Sequence, residues 1–328
     1  MRRRDLILSL LGTAIIAATD AAIGKDAART ARIGLLSPGS MPLDRNPFRV
    51  FREALAEQGF VEGRNLLIEY RWAEGKPERL RELAAELAVA GLDVIFAPPA
   101  PAALEMRATG TATPIVFALS ADPVGNGLVK SMARPGGNIT GLSTMGAELA
   151  EKRLALLKEA FPRIARVAVI YLPSDKDNQR QLSATQSAAR RVGVVAVPFA
   201  LLRREDVGSV IATLGREQVD AVSVQLNVVT NSGMTDLVSR VGQSKLPAIY
   251  PLLEFVDQGG LLAYAVNMDS QFRRAAMYVA KILRGAKPAD LPIEQPTQFD
   301  LAINMRTAKS LGVNLPQSVL LQATRIVE

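Results

Sequence analysis

The chain has 328 residues, 48% of them hydrophobic and 22% charged, enough to bury cores for two domains of ordinary size and too apolar for a disordered chain. It contains no Cys and no His. That excludes disulfides, thiolate nucleophiles, iron–sulfur clusters, a cysteine-linked lipid anchor, a Ser-His-Asp triad and imidazole ligation of zinc or haem. The net charge of +7 is spread along the chain and forms no basic run interleaved with aromatics, which argues against nucleic-acid binding.

Arg2-Arg3-Arg4 precedes the apolar run Leu6–Ala18 (LILSLLGTAIIAA). This run is shorter than the roughly 20 residues a spanning helix needs, and suits the core of a signal peptide. Arg3-Arg4-Asp5-Leu6-Ile7 has the layout of a twin-arginine export signal. Small residues at Ala22 and Gly24 permit a cut before Lys25, and a cut after Ala21 fits equally. Residues 1–24 are therefore expected to be removed, which leaves a net charge of +6 on a soluble exported chain.

From residue 31 strands and helices alternate. Arg32–Ser37 reads as a strand, Asn46–Gln58 as a helix, Leu66–Trp72 as a strand, and Pro77–Ala90 as a helix with Leu80, Leu83, Ala84 and Leu87 on one face. Strand Val94–Ala97, helix Ala102–Thr109, strand Ile115–Leu119, a short helix near Asn126–Met132 and strand Ile139–Ser143 follow. The pattern then restarts with helix Ala147–Ala160, strand Val167–Leu172, helix Lys176–Val192 and strand Val194–Phe199. Helix Glu205–Arg216, strand Ala221–Val224, helix Asn231–Gln243 and strand Ala248–Tyr250 continue it. Phe272, Ala276, Val279 and Leu283 mark a later helix, Lys287–Gln298 a proline-rich crossover, and Phe299–Asn304 a strand. Short, continuously apolar strands fit parallel sheets covered on both faces, so the expected fold class is α/β with two doubly wound parallel-sheet lobes.

In such sheets ligands bind beyond the carboxyl ends of the strands. There the hydroxyls of Ser37, Ser40, Ser120 and Ser174 can donate to an anion beside helix N–H groups, or simply cap turns. Asp122 and Glu254 can accept an ammonium, the first equally well placed to cap a turn. The amides of Asn178, Asn227 and Asn267, and the loop residues Pro99 and Ala100, complete the candidate ligand-binding set. Tyr250 and Phe255 can stack on a flat ligand or fill the core. There is no GxGxxG after a strand, no P-loop and no GxSxG elbow, and Asp175 and Asp177 read as a helix cap before a metal site. No cofactor or metal and no catalytic residue is expected.

Together these motifs resemble the ABC-transporter substrate-binding proteins of the tryptophan/tyrosine type, built on the type I periplasmic binding protein fold. The likeness runs through Gly59–Asn65 (GFVEGRN), Ile68–Gly75 (IEYRWAEG), Asp122-Pro123-Val124, Arg134–Gly141 (RPGGNITG), Lys152-Arg153-Leu154, Glu254–Tyr264 (EFVDQGGLLAY) and the tail Ala286–Leu311. The resemblance implies an extracytoplasmic receptor that closes on a small molecule, an amino acid or similar, including aromatic ones, and presents it to an ABC permease. It also implies lobes of 31–143 plus 265–293 and 144–264 plus 294–328, with hinge strands near Ser143, Tyr264 and Leu291–Pro296. This chain departs from the family at the cleft. Pro98-Pro99-Ala100-Pro101 stands where a Gly/Thr-containing loop is common, which removes a hydroxyl and several donor N–H groups, and Leu172-Pro173 stands where Asn-Pro is common. Two other classes remain open from the residues: an exported two-lobed α/β enzyme using carboxylates, and a ligand-sensing subunit of a membrane receptor.

Overall fold

The computed structural model describes residues 29–39 and 47–328; the expected export signal and Ser40 lie outside them. Strands β1 (Ala31–Ser37), β2 (Leu66–Trp72), β3 (Val94–Phe96), β4 (Ile115–Ser120) and β5 (Ile139–Ser143) form one wholly parallel sheet in the order β2-β1-β3-β4-β5. Helices α1 (Pro47–Glu57), α2 (Pro77–Ala88) and α3 (Ala100–Ala108) connect its strands. Each helix forms where local chemistry starts and stops it. In α2, Pro77 opens the first turn with Glu78 beside it, and Leu80, Leu83, Ala84 and Leu87 face the sheet.

The chain then leaves β5 for α4 (Gly146–Ala160) and builds a second sheet. It contains β6 (Arg166–Tyr171), β7 (Val195–Ala200), β8 (Ala221–Val224), β9 (Ala248–Tyr250) and β10 (Leu262–Val266). Helices α5 (Lys176–Arg191), α6 (Val207–Leu214), α7 (Val228–Ser232), α8 (Met234–Gln243) and α9 (Glu254–Asp257) link them. After β10, helix α10 (Met268–Leu283) returns to the first sheet and packs beside α1, burying Phe272, Ala275, Ala276 and Val279 in that core. Phe272 meets Phe48 edge-on at 5.2 Å, and Phe51 stacks on Phe96 at 4.2 Å. Strand β11 (Phe299–Asn304), α11 (Met305–Leu311), α12 (Gln317–Leu320) and β12 (Arg325–Val327) complete the second sheet, whose order is β12-β11-β10-β9-β8-β6-β7.

The second sheet is not wholly parallel, because β11 runs antiparallel to β10. The reason is the path of the chain. Strand β10 exits toward the first lobe, and the chain re-enters from the same side, so the returning strand must run the other way. The return segment pairs with β5 before it crosses: Ser143 N donates to Glu294 O at 2.8 Å, and Thr140 Oγ1 donates to Leu291 O at 2.7 Å. Three segments therefore join the sheets, at 143–146, 266–268 and 294–299. At the first, Met145 holds φ +52°, a left-handed conformation costly for a residue with a Cβ.

Two local expectations are corrected. Residues 126–132 form turns, not a helix, because Asp122 Oδ1 accepts from Gly125 N at 2.7 Å and Gly127 takes φ +72°. The expected helix at 231–243 is two helices broken at Gly233, the first of them started by the capping box of Asn227 and Thr230.

Candidate functional site

In each sheet the strand order 2-1-3-4-5 recurs, with β6, β7, β8, β9 and β10 repeating β1 to β5. The order reverses between β1 and β3 and again between β6 and β8, and the crevices at such reversals are where open α/β sheets take ligands. Ser37 and the Pro98–Ala100 loop lie at the first reversal, and the Leu172–Ser174 and Gln225–Asn227 loops at the second.

On the first lobe, Ser37 is half-buried and its Oγ accepts from Gly39 N at 3.4 Å. Pro99 caps α3 with no side-chain hydrogen bond, and buried Ala100 is its first residue. The prolines at 98, 99 and 101 bring no N–H to this turn. Ser120, at the end of β4, is fully buried and its hydroxyl has no partner among the described residues. Asp122 caps the following turn and holds an ion pair with the second lobe, its Oδ2 lying 3.0 Å from Arg180 Nε. That contact occupies the carboxylate expected to meet an ammonium.

On the second lobe three candidate side chains are engaged within the protein. Asn178 is fully buried and both ends of its amide are engaged: Oδ1 accepts from Leu172 N at 3.0 Å and from Asn227 Nδ2 at 2.9 Å, while Nδ2 donates to Leu226 O at 2.8 Å. Asn227 Oδ1 in turn accepts from Val229 N and Thr230 N, both at 2.9 Å. These two amides tie the post-strand loops together, and their acceptor oxygens are committed within the protein. Tyr250 sits in the core, stacked on Phe255 at 5.0 Å, and burial raises the pKa of its hydroxyl. Ser174 is exposed in the turn before Asp175, whose carboxylate caps α5. Burial raises the Asp175 pKa, against the pull of that helix's N–H groups. Glu254 opens α9 half-buried, and its carboxylate has no side-chain partner among the described residues. Asn267 caps α10 through Ser270 N at 2.8 Å and donates to Asp300 Oδ2 at 2.9 Å.

Between the lobes lies a cavity of about 350 Å³, walled by Asp122, Val124 and Met132 from one side, Asp177, Arg180 and Gln181 of α5 from the other, and Ser143, Met145 and Gln295 of the connections. Arg180 is its centre. Besides Asp122, its Nη2 donates to Asn126 Oδ1 at 2.5 Å and to Asp177 Oδ1, and Asn126 Nδ2 donates to Asp177 Oδ2 at 2.9 Å. With Glu148 also in the wall, the cavity is lined by three carboxylates and one guanidinium and is net negative. Sequence reasoning missed Arg180. Its spacing to Asp177 is an ordinary helix-surface pair, and the Asp122 partner comes from the other lobe.

Among the described residues there is no cluster of three or more carboxylates suited to a metal, and no helix long and apolar enough to cross a membrane. Residues 44–327 match the ABC transporter substrate binding protein family, and the chain belongs to it. It is the solute-binding component of an ABC transporter, and the family is one of binding proteins, not of enzymes. A tyrosine-binding protein of Clostridioides difficile (strain R20291) is 25% identical over 263 residues, covering 80% of this chain and 75% of that protein. The crystal structure of a conserved domain protein from Vibrio cholerae superposes with a TM-score of 0.82 at 27% identity, covering 91% of this chain and all of the other. An ABC domain from Streptococcus pneumonia in complex with L-Trp superposes with a TM-score of 0.78 at 26% identity, covering 90% of this chain and all of the other.

Proposed function

We propose that this protein works outside the cytoplasm, closes its lobes on an aromatic amino acid, and hands it to a membrane permease. The observation that carries the ligand class is the similarity, along most of the chain, to a tyrosine-binding protein and to a structure holding L-Trp. The division into lobes of 31–143 plus 265–293 and 144–264 plus 294–328, and cleavage of residues 1–24, belong to the same reading. Two side chains supply its chemistry. The partnerless Glu254 carboxylate suits the ligand ammonium, and the buried, partnerless Ser120 hydroxyl suits its carboxylate.

Ligand binding then acts as a population shift toward the closed arrangement, and its strength depends on how much better the closed form holds the ligand. The Asp122–Arg180 contact contributes the protein's own part of that preference. A thermal-shift screen of the mature protein against the amino acids tests the reading. A rise in Tm with L-tyrosine or L-tryptophan, cut by Glu254→Gln, is expected. A rise with sugars alone, or none with any amino acid, would discard it.

A further inference from the structure

A second, larger concavity of about 580 Å³ lies where the second lobe meets two of the connections. Its walls come from Lys152 and Leu156 of α4, Tyr264 of β10, Asn267 at the start of α10, and the Thr297–Leu301 stretch that enters β11. None of these residues belongs to the cavity around Arg180. Three features give this groove a chemical preference.

The first is aromatic. Tyr264 and Phe299 stack with centroids 5.8 Å apart and planes 20° from parallel, and both are only partly buried, so the pair presents ring surface to the groove. A flat apolar ring packs well on such a surface. The second is charge. Lys152 is exposed and has no carboxylate partner among the described residues, while Asp300 has no cationic one, its Oδ2 holding only the Asn267 amide. Charges of both signs thus line one groove without neutralising each other. The third lies behind the Tyr264 wall. Arg153 is 5% exposed, donates through Nε to Tyr264 O at 2.8 Å, and has no carboxylate partner among the described residues. Burial lowers its pKa to about 10, so it remains a cation at neutral pH. Lys152 and Arg153, consecutive on α4, thus place two cations beside Tyr264, against Asp300 on β11 and Glu159, which accepts from Gln322 at 3.0 Å, so an anion is received on the Lys152 side of the groove.

We propose that this groove is a second small-molecule site, for a flat-ringed carboxylic acid whose carboxylate meets Lys152 and whose ring lies on the Tyr264–Phe299 pair. An amine on the same molecule is received by Asp300, so an aromatic zwitterion fits as well as a simple aromatic acid. The site follows from the groove's own residues and does not depend on which solute the inter-lobe cleft takes. Its position gives it a consequence. Tyr264 and Asn267 flank one connection between the lobes, Thr297 and Phe299 flank another, and α4 follows the third. An occupant fixes these segments relative to one another and so biases the angle between the lobes. By linkage, occupancy of the groove and of the cleft then alter each other's affinity by the same factor.

Titration calorimetry on the full mature protein tests this with three probes: L-tryptophan, indole-3-acetate without the amine, and tryptamine without the carboxylate. Wild type is expected to bind indole-3-acetate at one site, and Lys152→Glu to weaken that site about tenfold or more, the size of one lost charge-assisted contact. Tryptamine is expected not to occupy it. Glu254→Gln is expected to leave the Lys152-sensitive site unchanged while weakening the cleft site for L-tryptophan. An unchanged Tm for Lys152→Glu without ligand checks that the variant is folded. A single Lys152-sensitive site for L-tryptophan, indifferent to Glu254→Gln, supports the groove and removes the cleft reading. Identical titrations of Lys152→Glu and wild type, or no binding of indole-3-acetate at millimolar concentration, overturn the groove site.

Discussion

The two lobes share a strand order but meet the cleft with opposite chemistry. On the second lobe, Asn178 and Asn227 bind the loops after β6 and β8 to each other through a shared set of hydrogen bonds. On the first lobe, the loop after β3 is built from prolines that offer no N–H, and Ser120 at the neighbouring strand end has a hydroxyl with nothing to bond. One edge is braced by its own side chains, and the other carries a buried hydroxyl without a partner among the described residues. A ligand held between them is therefore expected to meet a rigid wall on one side and to supply missing partners on the other.

The comparison is most easily broken at Asn178. Replacement by Ala strands Leu172 N, Leu226 O and the Asn227 amide in a buried site. Unsatisfied buried groups cost roughly 1–3 kcal/mol each before relaxation, so a loss of about 3 kcal/mol is expected in urea unfolding. A loss below about 1 kcal/mol would mean that the second wall is not held by this residue.

Arg180→Ala comes next. It removes the contacts to Asp122 and Asn126 that join the lobes, all at a partly exposed side chain, so about 1 kcal/mol of closed-state preference is expected to go. Solution scattering should show a larger radius of gyration with little change in urea midpoint. Equal loss of both would make Arg180 a structural residue of α5 and nothing more.

Much of this architecture is written in local sequence. The apolar strands, Pro77 at a helix start and the Asn227 cap each fix their element within a few residues, so the alternation and the fold class are legible without the structure. The position just after each strand is legible too. What a side chain does there is not. Asn178 and Ser120 look alike in sequence, as small polar residues beyond apolar strands, and differ only because Asn178 meets Asn227 and Leu226 from a distant loop. Local sequence does not mark Arg180 or Lys152 as a lining side chain for the same reason: their settings are made by segments far away in the chain.

The connections between the lobes give a smaller, pH-dependent effect. Burial pulls the Glu294 pKa up, but hydrogen bonding to Arg274 and the positive charges of Arg274 and Lys281 help to outweigh it and leave the value below that of an ordinary glutamate. Arg274 Nη2 donates to Glu294 Oε1 at 2.6 Å, and its Nε donates to Oε2. A carboxylate with a depressed folded pKa contributes its full stability above its unfolded value and loses it as pH falls through the folded one. The Tm of wild type is therefore expected to drop more steeply below the ordinary glutamate pKa than that of Glu294→Gln, whose profile is shifted down at neutral pH. Parallel profiles would mean that the pair does not anchor this connection to α10.

The smallest effect on stability separates the two lobes most sharply. Ser120→Ala removes a buried hydroxyl that has no partner, so it takes away no hydrogen bond and leaves no new orphan group. The free protein is expected to keep its urea midpoint or gain up to about 1 kcal/mol. If the hydroxyl is the ligand's donor, the same variant binds about tenfold more weakly, an effect visible in calorimetry and absent from unfolding. Asn178→Ala should show the reverse balance, with stability lost first and affinity following only from the loosened wall. Should Ser120→Ala instead destabilise the free protein as Asn178→Ala does, the first lobe's edge is as internally satisfied as the second, and the asymmetry that assigns the ligand's anion to it disappears.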